Sequence, residues 1–145
     1  MAAPNKQPIF ADGIILEAVE LAGSSIDISA PLTGGNSPDT LYTCSEAEGV
    51  IIERITMIPP VSDGGTVTND IAYIFVNKGG GGWITYKSSI VASIIVTVGI
   101  DNTPVLEFNF SGGVLLNTGD LIGAGSTRGI KYYTVTEGGR FIIIP

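Results

Sequence analysis

Histidine is absent from all 145 residues, and with it go the usual general base, the usual imidazole metal ligand and the usual charge switch near neutral pH. A Ser-His or Cys-His nucleophile cannot be built from this chain. Cysteine is nearly absent too: Cys44 stands alone, so no intrachain disulfide forms and maturation in a reducing cytoplasm is allowed. Cations are scarce, with 7 Lys plus Arg against 14 Asp plus Glu and a formal charge of −7. The positive footprint of a nucleic-acid binder is missing, and a phosphate backbone is repelled. No basic segment followed by an apolar stretch opens the sequence, and no apolar run reaches the roughly 18 residues of a membrane span. These absences predict a soluble protein with neither a nucleic-acid nor a membrane partner.

What is present is apolar and turn-forming. Hydrophobic residues make up 44% of the chain and charged residues 14%, which leaves few charges to cover the surface of a solitary monomer. Burial between subunits is the expectation, with Ser, Thr, Asn and Gly as the alternative solvating groups. The 20 Gly and 8 Pro are spread between apolar runs, as many tight turns require. The length suits one domain with its own core.

Residues 1–12 hold Pro4 and Pro8 with few core formers and read as an extended arm, which leaves 13–145 as a single domain. Residues 13–23 fit a marginal helix behind Asp12 or a strand with Ile15, Glu17, Val19 and Leu21 on one face; the strand agrees better with the β character of the downstream residues. A short strand is expected over 25–29, a loop over 31–39, and strands over 40–44 and 50–58, the last stopped by Pro59 and Pro60. Strict alternation in 50–58 sets Ile51, Glu53, Ile55 and Met57 against Ile52, Arg54, Thr56 and Ile58, so each face is mixed. Residues 71–76 are continuously apolar and read as a central strand buried on both faces. The glycine run 79–82 makes a hairpin tip before Trp83, and 90–98 is too β-branched for helix and reads as core or subunit interface. Strands over 105–110 and 114–116, a hairpin at 117–120, a strand over 131–136, a turn at 137–139 and a last strand over 141–144 complete the pattern. The whole predicts an all-β fold, a β-sandwich or jelly-roll-like barrel of roughly eight to ten antiparallel strands behind an extended N-terminal arm.

Residues that carry chemistry are few. Cys44 lies in a β-type run and reads as a small apolar filler. Asp63, Asp70, Asp101, Glu107 and Asp120 fall mostly at turns or strand ends, where solvation accounts for them better than a glycosidic carboxylate pair. Asp63 with Asn69 and Asp70 has oxygens for calcium but not the spacing of an EF-hand loop. The run from Lys78 to Gly82 lacks the Gly-Lys-Ser/Thr of a phosphate cradle. Trp83, Tyr86, Tyr132 and Tyr133 are aromatic enough for a sugar-stacking platform, but β-spaced aromatics are also what a sandwich interior contains. No catalytic, cofactor or metal residue is assigned, and the protein is expected not to be an enzyme.

Several stretches resemble small tailed-bacteriophage capsid decoration (cement) proteins and related β-sandwich head proteins. They are Thr40-Leu-Tyr-Thr, Ile52-Glu-Arg-Ile55, Ala72 to Val76 leading through a glycine loop to Trp83, Gly113-Val-Leu-Leu, Gly119-Asp120, and Thr134 to Phe141. Arg140 departs from the pattern, where an acidic or small residue is expected. The resemblance implies a non-enzymatic virion protein, commonly a homotrimer, made in the host cytoplasm and docked on the phage major capsid protein at the capsid surface. In that setting the arm, with Pro4, Pro8, Ile9 and Phe10, is the candidate capsid contact, and Ile90, Ile94, Val96, Phe141 and Ile143 are candidates for the trimer interface. The competing reading is a glycan- or receptor-binding module of a head fibre or tail, using loops at 34–38, 62–65 and 78–82.

Overall fold

The computed structural model describes residues 13–59, 65–96 and 105–141. Eight strands form in them: β1 (Ile14–Glu20), β2 (Asp39–Thr43), β3 (Val50–Ile58), β4 (Gly65–Asn77), β5 (Trp83–Val96), β6 (Leu106–Leu116), β7 (Leu121–Ser126) and β8 (Tyr133–Arg140). They build two antiparallel four-stranded sheets, sheet A in the order β1-β8-β3-β6 and sheet B in the order β2-β7-β4-β5. The first half of the chain pairs in reverse with the second: β4 with β5, β3 with β6, β2 with β7 and β1 with β8. This is one long hairpin, closed at residues 78–82 and rolled so that β3 also meets β8 and β4 also meets β7. Such nesting is the connectivity of a jelly roll laid out as a two-sheet sandwich, and the sheets do not close into a barrel.

Both sheets feed one core. Ile15, Ile52, Ile55, Met57 and Leu116 come from sheet A, and Leu41, Ile74, Val76 and Ile122 from sheet B. Each such side chain contributes roughly 1.5–3 kcal/mol by leaving water. The apolar run of β4 is buried on both faces, as its composition requires: Ala72, Ile74 and Val76 face the core, while Tyr73 and Phe75 face outward under Ile26, Leu32 and Trp83. The β-prone residues 25–29 therefore make no strand. They are spent as a cover over sheet B, with a single bridge from Ser25 to Ser126, and Asn36 ties the cover together through both the amide and the carbonyl of Asp27.

Residues 13–23 contain a strand, not a helix, with Ile15 and Leu21 buried. In β3 the expected mixed faces are corrected by a bulge. Val50 and Ile52 are buried, then Ile55 and Met57, a sequence that unbroken alternation forbids. The register against both β6 and β8 shifts between Ile52 and Arg54, so Glu53 is an extra residue that rephases the strand and keeps all four apolar side chains inside. On β6 the irregularity is taken up by Gly112 and Gly113, both at φ 78°.

Three expectations at the C-terminal end are also corrected. β6 runs unbroken from Leu106 to Leu116, where two short strands were expected. The turn at 117–120 is not a hairpin, because β6 belongs to sheet A and β7 to sheet B; turn-forming residues serve a corner between sheets as well as they serve a hairpin. Residues 137–139 do not turn but pair on both sides inside β8, with β1 and with β3. Gly138 is needed there for space: a Cβ at this position would collide with the backbone of Ile51 where the bulged β3 presses in. The last expected strand, 141–144, lies outside the described residues beyond Phe141.

Candidate functional site

β1 is an edge strand of sheet A, and its two faces look onto different surfaces. Ile14 and Leu16, 78% and 66% exposed, point outward on a strand whose other face buries Ile15. Apolar residues on both faces of one strand are the sequence signal that this surface needed, and alternation read for a single core face passes over it. A shallow groove of about 560 Å³ crosses the outer face of sheet A here, lined by Ile14, Leu16, Glu53, Arg54, Asn109, Glu137 and Gly138. Its charged wall is a pair on neighbouring strands, Arg54 Nε to Glu137 Oε2 at 2.5 Å. The hydrogen bond from Arg54 lowers the Glu137 carboxyl, and the same bond raises Arg54.

On the other side of β1 an open cleft of about 470 Å³ separates it from β2, the edge strand of sheet B. Thr40, Tyr42, Glu46 and Arg140 are among its lining residues. Arg140 Nε lies 3.5 Å from Glu46 Oε1. Burial, with the nearby Cys44 and Glu46, raises the Tyr42 phenol. The two ends of the described sandwich meet here: the Arg140 amide donates to the Gly13 carbonyl at 3.1 Å, so the first and last described residues lie side by side next to both grooves.

The carboxylates singled out from the sequence have other duties. Asp120, expected at a solvated turn, is buried. It accepts from the amides of Gly79 (2.8 Å) and Asn117 (2.9 Å) and from Lys78 Nζ (3.0 Å), locking the β4–β5 tip to the β6–β7 corner. Burial by itself raises this carboxyl, but the bonds from Asn117, Lys78 and Gly79 outweigh it and hold the group below its ordinary value. Asp70 is also buried, accepting from Tyr132 Oη at 2.7 Å and from the Arg128 amide at 2.9 Å. Both Asp70 oxygens are thus occupied within the fold, and Asp63 and Asp101 lie outside the described residues. Glu107 is exposed on β6. Among the described residues no group of three or more acidic or cysteine side chains has metal-binding geometry. Cys44 is buried core filler, its thiol against the Leu116 carbonyl.

The aromatics do not make one platform. Tyr132 is fully buried, and Trp83 packs on the outer cluster of sheet B. Tyr86 stands on β5 in sheet B beside Phe110, and Tyr133 on β8 in sheet A. Of the proposed interface residues, Ile90 is exposed on β5, Ile94 and Val96 lie further along the same strand, and Phe141 follows β8 with its amide toward the Gly49 carbonyl. Ile90 thus lies in sheet B, while Phe141 follows the end of β8 in sheet A. Pro4, Pro8, Ile9, Phe10 and Ile143 lie outside the described residues.

No known protein family, curated protein or solved structure matches the chain. The arrangement itself defines a class: a jelly-roll module with open, partly apolar surfaces at one end and carboxylates used as structural ties.

Proposed function

We propose that this protein is a virion structural component that binds the outer surface of a phage capsid as a decoration protein and reinforces the shell. One observation carries the reading: both ends of the described sandwich lie together, beside the exposed Ile14 and Leu16 and the two grooves flanking β1. A module attached to a lattice needs one end for contact, and the arm begins at that end. The jelly-roll connectivity is one that capsid domains use, along with lectins and cupins, so by itself it does not choose among them. The net charge of −7 supports a position away from packaged nucleic acid. Many copies on a repeating shell gain avidity from weak single contacts.

The capsid contact in this proposal is the arm, through Pro4, Pro8, Ile9 and Phe10, seated against the major capsid protein, with the copies associated as a homo-oligomer. Removing residues 2–10 should abolish co-sedimentation with capsid shells while the solution mass of the oligomer stays the same. Equal sedimentation of the full and shortened chains would remove the arm from the proposal. If neither form sediments, the capsid reading itself falls.

A further inference from the structure

β5 is a 14-residue strand at the edge of sheet B, paired on one side with β4. Among the described residues no strand lies on its other side. Ile90, Ile84 and Tyr86 on it are 75%, 64% and 48% exposed. Long edges are ordinarily blunted by a charge, a bulge or a covering loop, because unpaired amides and carbonyls are a template for another chain. β5 has a bulge near Tyr86 and one lysine, Lys87, but that lysine is engaged with β6. Its ammonium donates to the Asn109 carbonyl at 3.0 Å and sits 5.3 Å over the Phe110 ring, across the open side of the sandwich on β6. From Ser88 to Val96 the strand carries no charge at all.

Charge selects the occupant. No Asp or Glu occurs between Asp70 and Asp101, and of the two lysines in that interval Lys78 is paired with Asp120 and Lys87 is held over Phe110, so this edge presents no acidic charge in a chain of net charge −7. Two copies repel one another over most of their surfaces and not along this edge. The uncharged part of β5, residues 88–96, is moreover its own antiparallel complement about a two-fold axis, with serine and aliphatic residues facing the same kinds and no charge left unpaired.

We propose that β5 is a strand-addition site for a second copy of this chain, β5 of one copy pairing antiparallel with β5 of its partner, so that the two B sheets become one continuous sheet. The added strand covers Ile84 and Tyr86 on the side facing β6 and Ile90 on the side shared with Ile71. This goes beyond the capsid reading and stands without it, since a solution mass needs no shell. It also replaces three-fold association with two-fold pairing.

Light scattering over a dilution series, with amide hydrogen exchange, tests the proposal. The wild-type protein should have twice the 15.0 kDa mass of the chain, with amides of β5 slowed in exchange at high concentration relative to low. The double variant Ile84→Lys/Ile90→Lys should fall to the mass of one chain with the same far-UV circular dichroism. Ile90→Lys alone, at the more exposed position, serves if the double variant does not fold. Ile14→Lys, on the edge of the other sheet, should keep the doubled mass. A single-chain mass at every concentration, a three-chain mass, or a doubled mass that survives the β5 substitutions would each overturn the proposal.

Discussion

Asp120 and Gly138 hold their positions for different physical reasons, and their substitution should have different signatures. Asp120 is stabilising in its ionised form, because its folded-state value lies below the ordinary carboxylate value. That contribution is present near neutral pH and is lost as the pH falls through the folded value. Asp120→Asn is expected to cost about 1–3 kcal/mol near neutral pH, the range for a buried charged group losing its partners. In urea titrations the gap to wild type should begin to narrow below about pH 4 and close only once the pH has fallen through the lower folded value, where both chains carry a neutral group. A gap of constant width from neutral to acid pH would show that ionisation is not what the three donors read. Gly138→Ala adds one methyl group against the Ile51 backbone, which cannot rotate away, so a loss of about 3 kcal/mol or more is expected in a thermal melt. Tyr132→Phe leaves the buried Asp70 with the Arg128 amide as its remaining donor and should cost about 1–3 kcal/mol.

Among the elements, β3 shows how one inserted residue decides which face a strand buries. Ile55 and Met57 are inside because Glu53 is unpaired against both neighbours. Deleting Glu53 moves either the pair before it or the pair after it to the wrong face. Each pair is fully buried, so the deletion should abolish the cooperative unfolding transition, whereas Glu53→Ala, which keeps the count of residues, should retain it. Retention of native stability by the deletion would mean that β3 can pair in a second register. The cover over sheet B makes a milder case: Ile26→Ala opens a cavity above Tyr73 and Phe75 and should cost about 2–4 kcal/mol without altering either sheet.

At the scale of the whole molecule, the nested pairing puts the first strand beside the last. β1 pairs with β8 along its full length, so sheet A closes only when both ends of the chain have arrived. Refolding should therefore be slow, in the range of milliseconds to seconds typical of non-local β topologies. A stopped-flow trace complete within tens of microseconds would contradict that order of events. Because Gly13 and Arg140 are hydrogen-bonded neighbours, the same geometry brings the first and last described residues together at one end of the sandwich.

Local composition determined a good deal of this protein. The all-β class, the extent of β3, the doubly buried run of β4 and the glycine tip at 79–82 follow from β-branched and apolar residues punctuated by Gly and Pro, because side-chain period and turn chemistry are properties of a few neighbouring residues. The lack of histidine and of a positive patch likewise bounded the chemistry. What only the tertiary structure decided is which strand pairs with which, and therefore what the ambiguous residues do. The same turn residues at 117–120 make a corner between sheets because Asp120 is captured by Lys78 and Gly79, some forty residues earlier in the chain at the β4–β5 tip. Residues 137–139 stay in the ladder because bulged β3 needs a glycine beside it, and residues 25–29 become a cover because Tyr73 and Phe75 face outward. Edges are legible only once the strand order is known, so the exposure of β1 and β5 and the placing of both ends beside one pair of grooves are decided by long-range pairing, whose partners lie too far apart in sequence for any local pattern to specify.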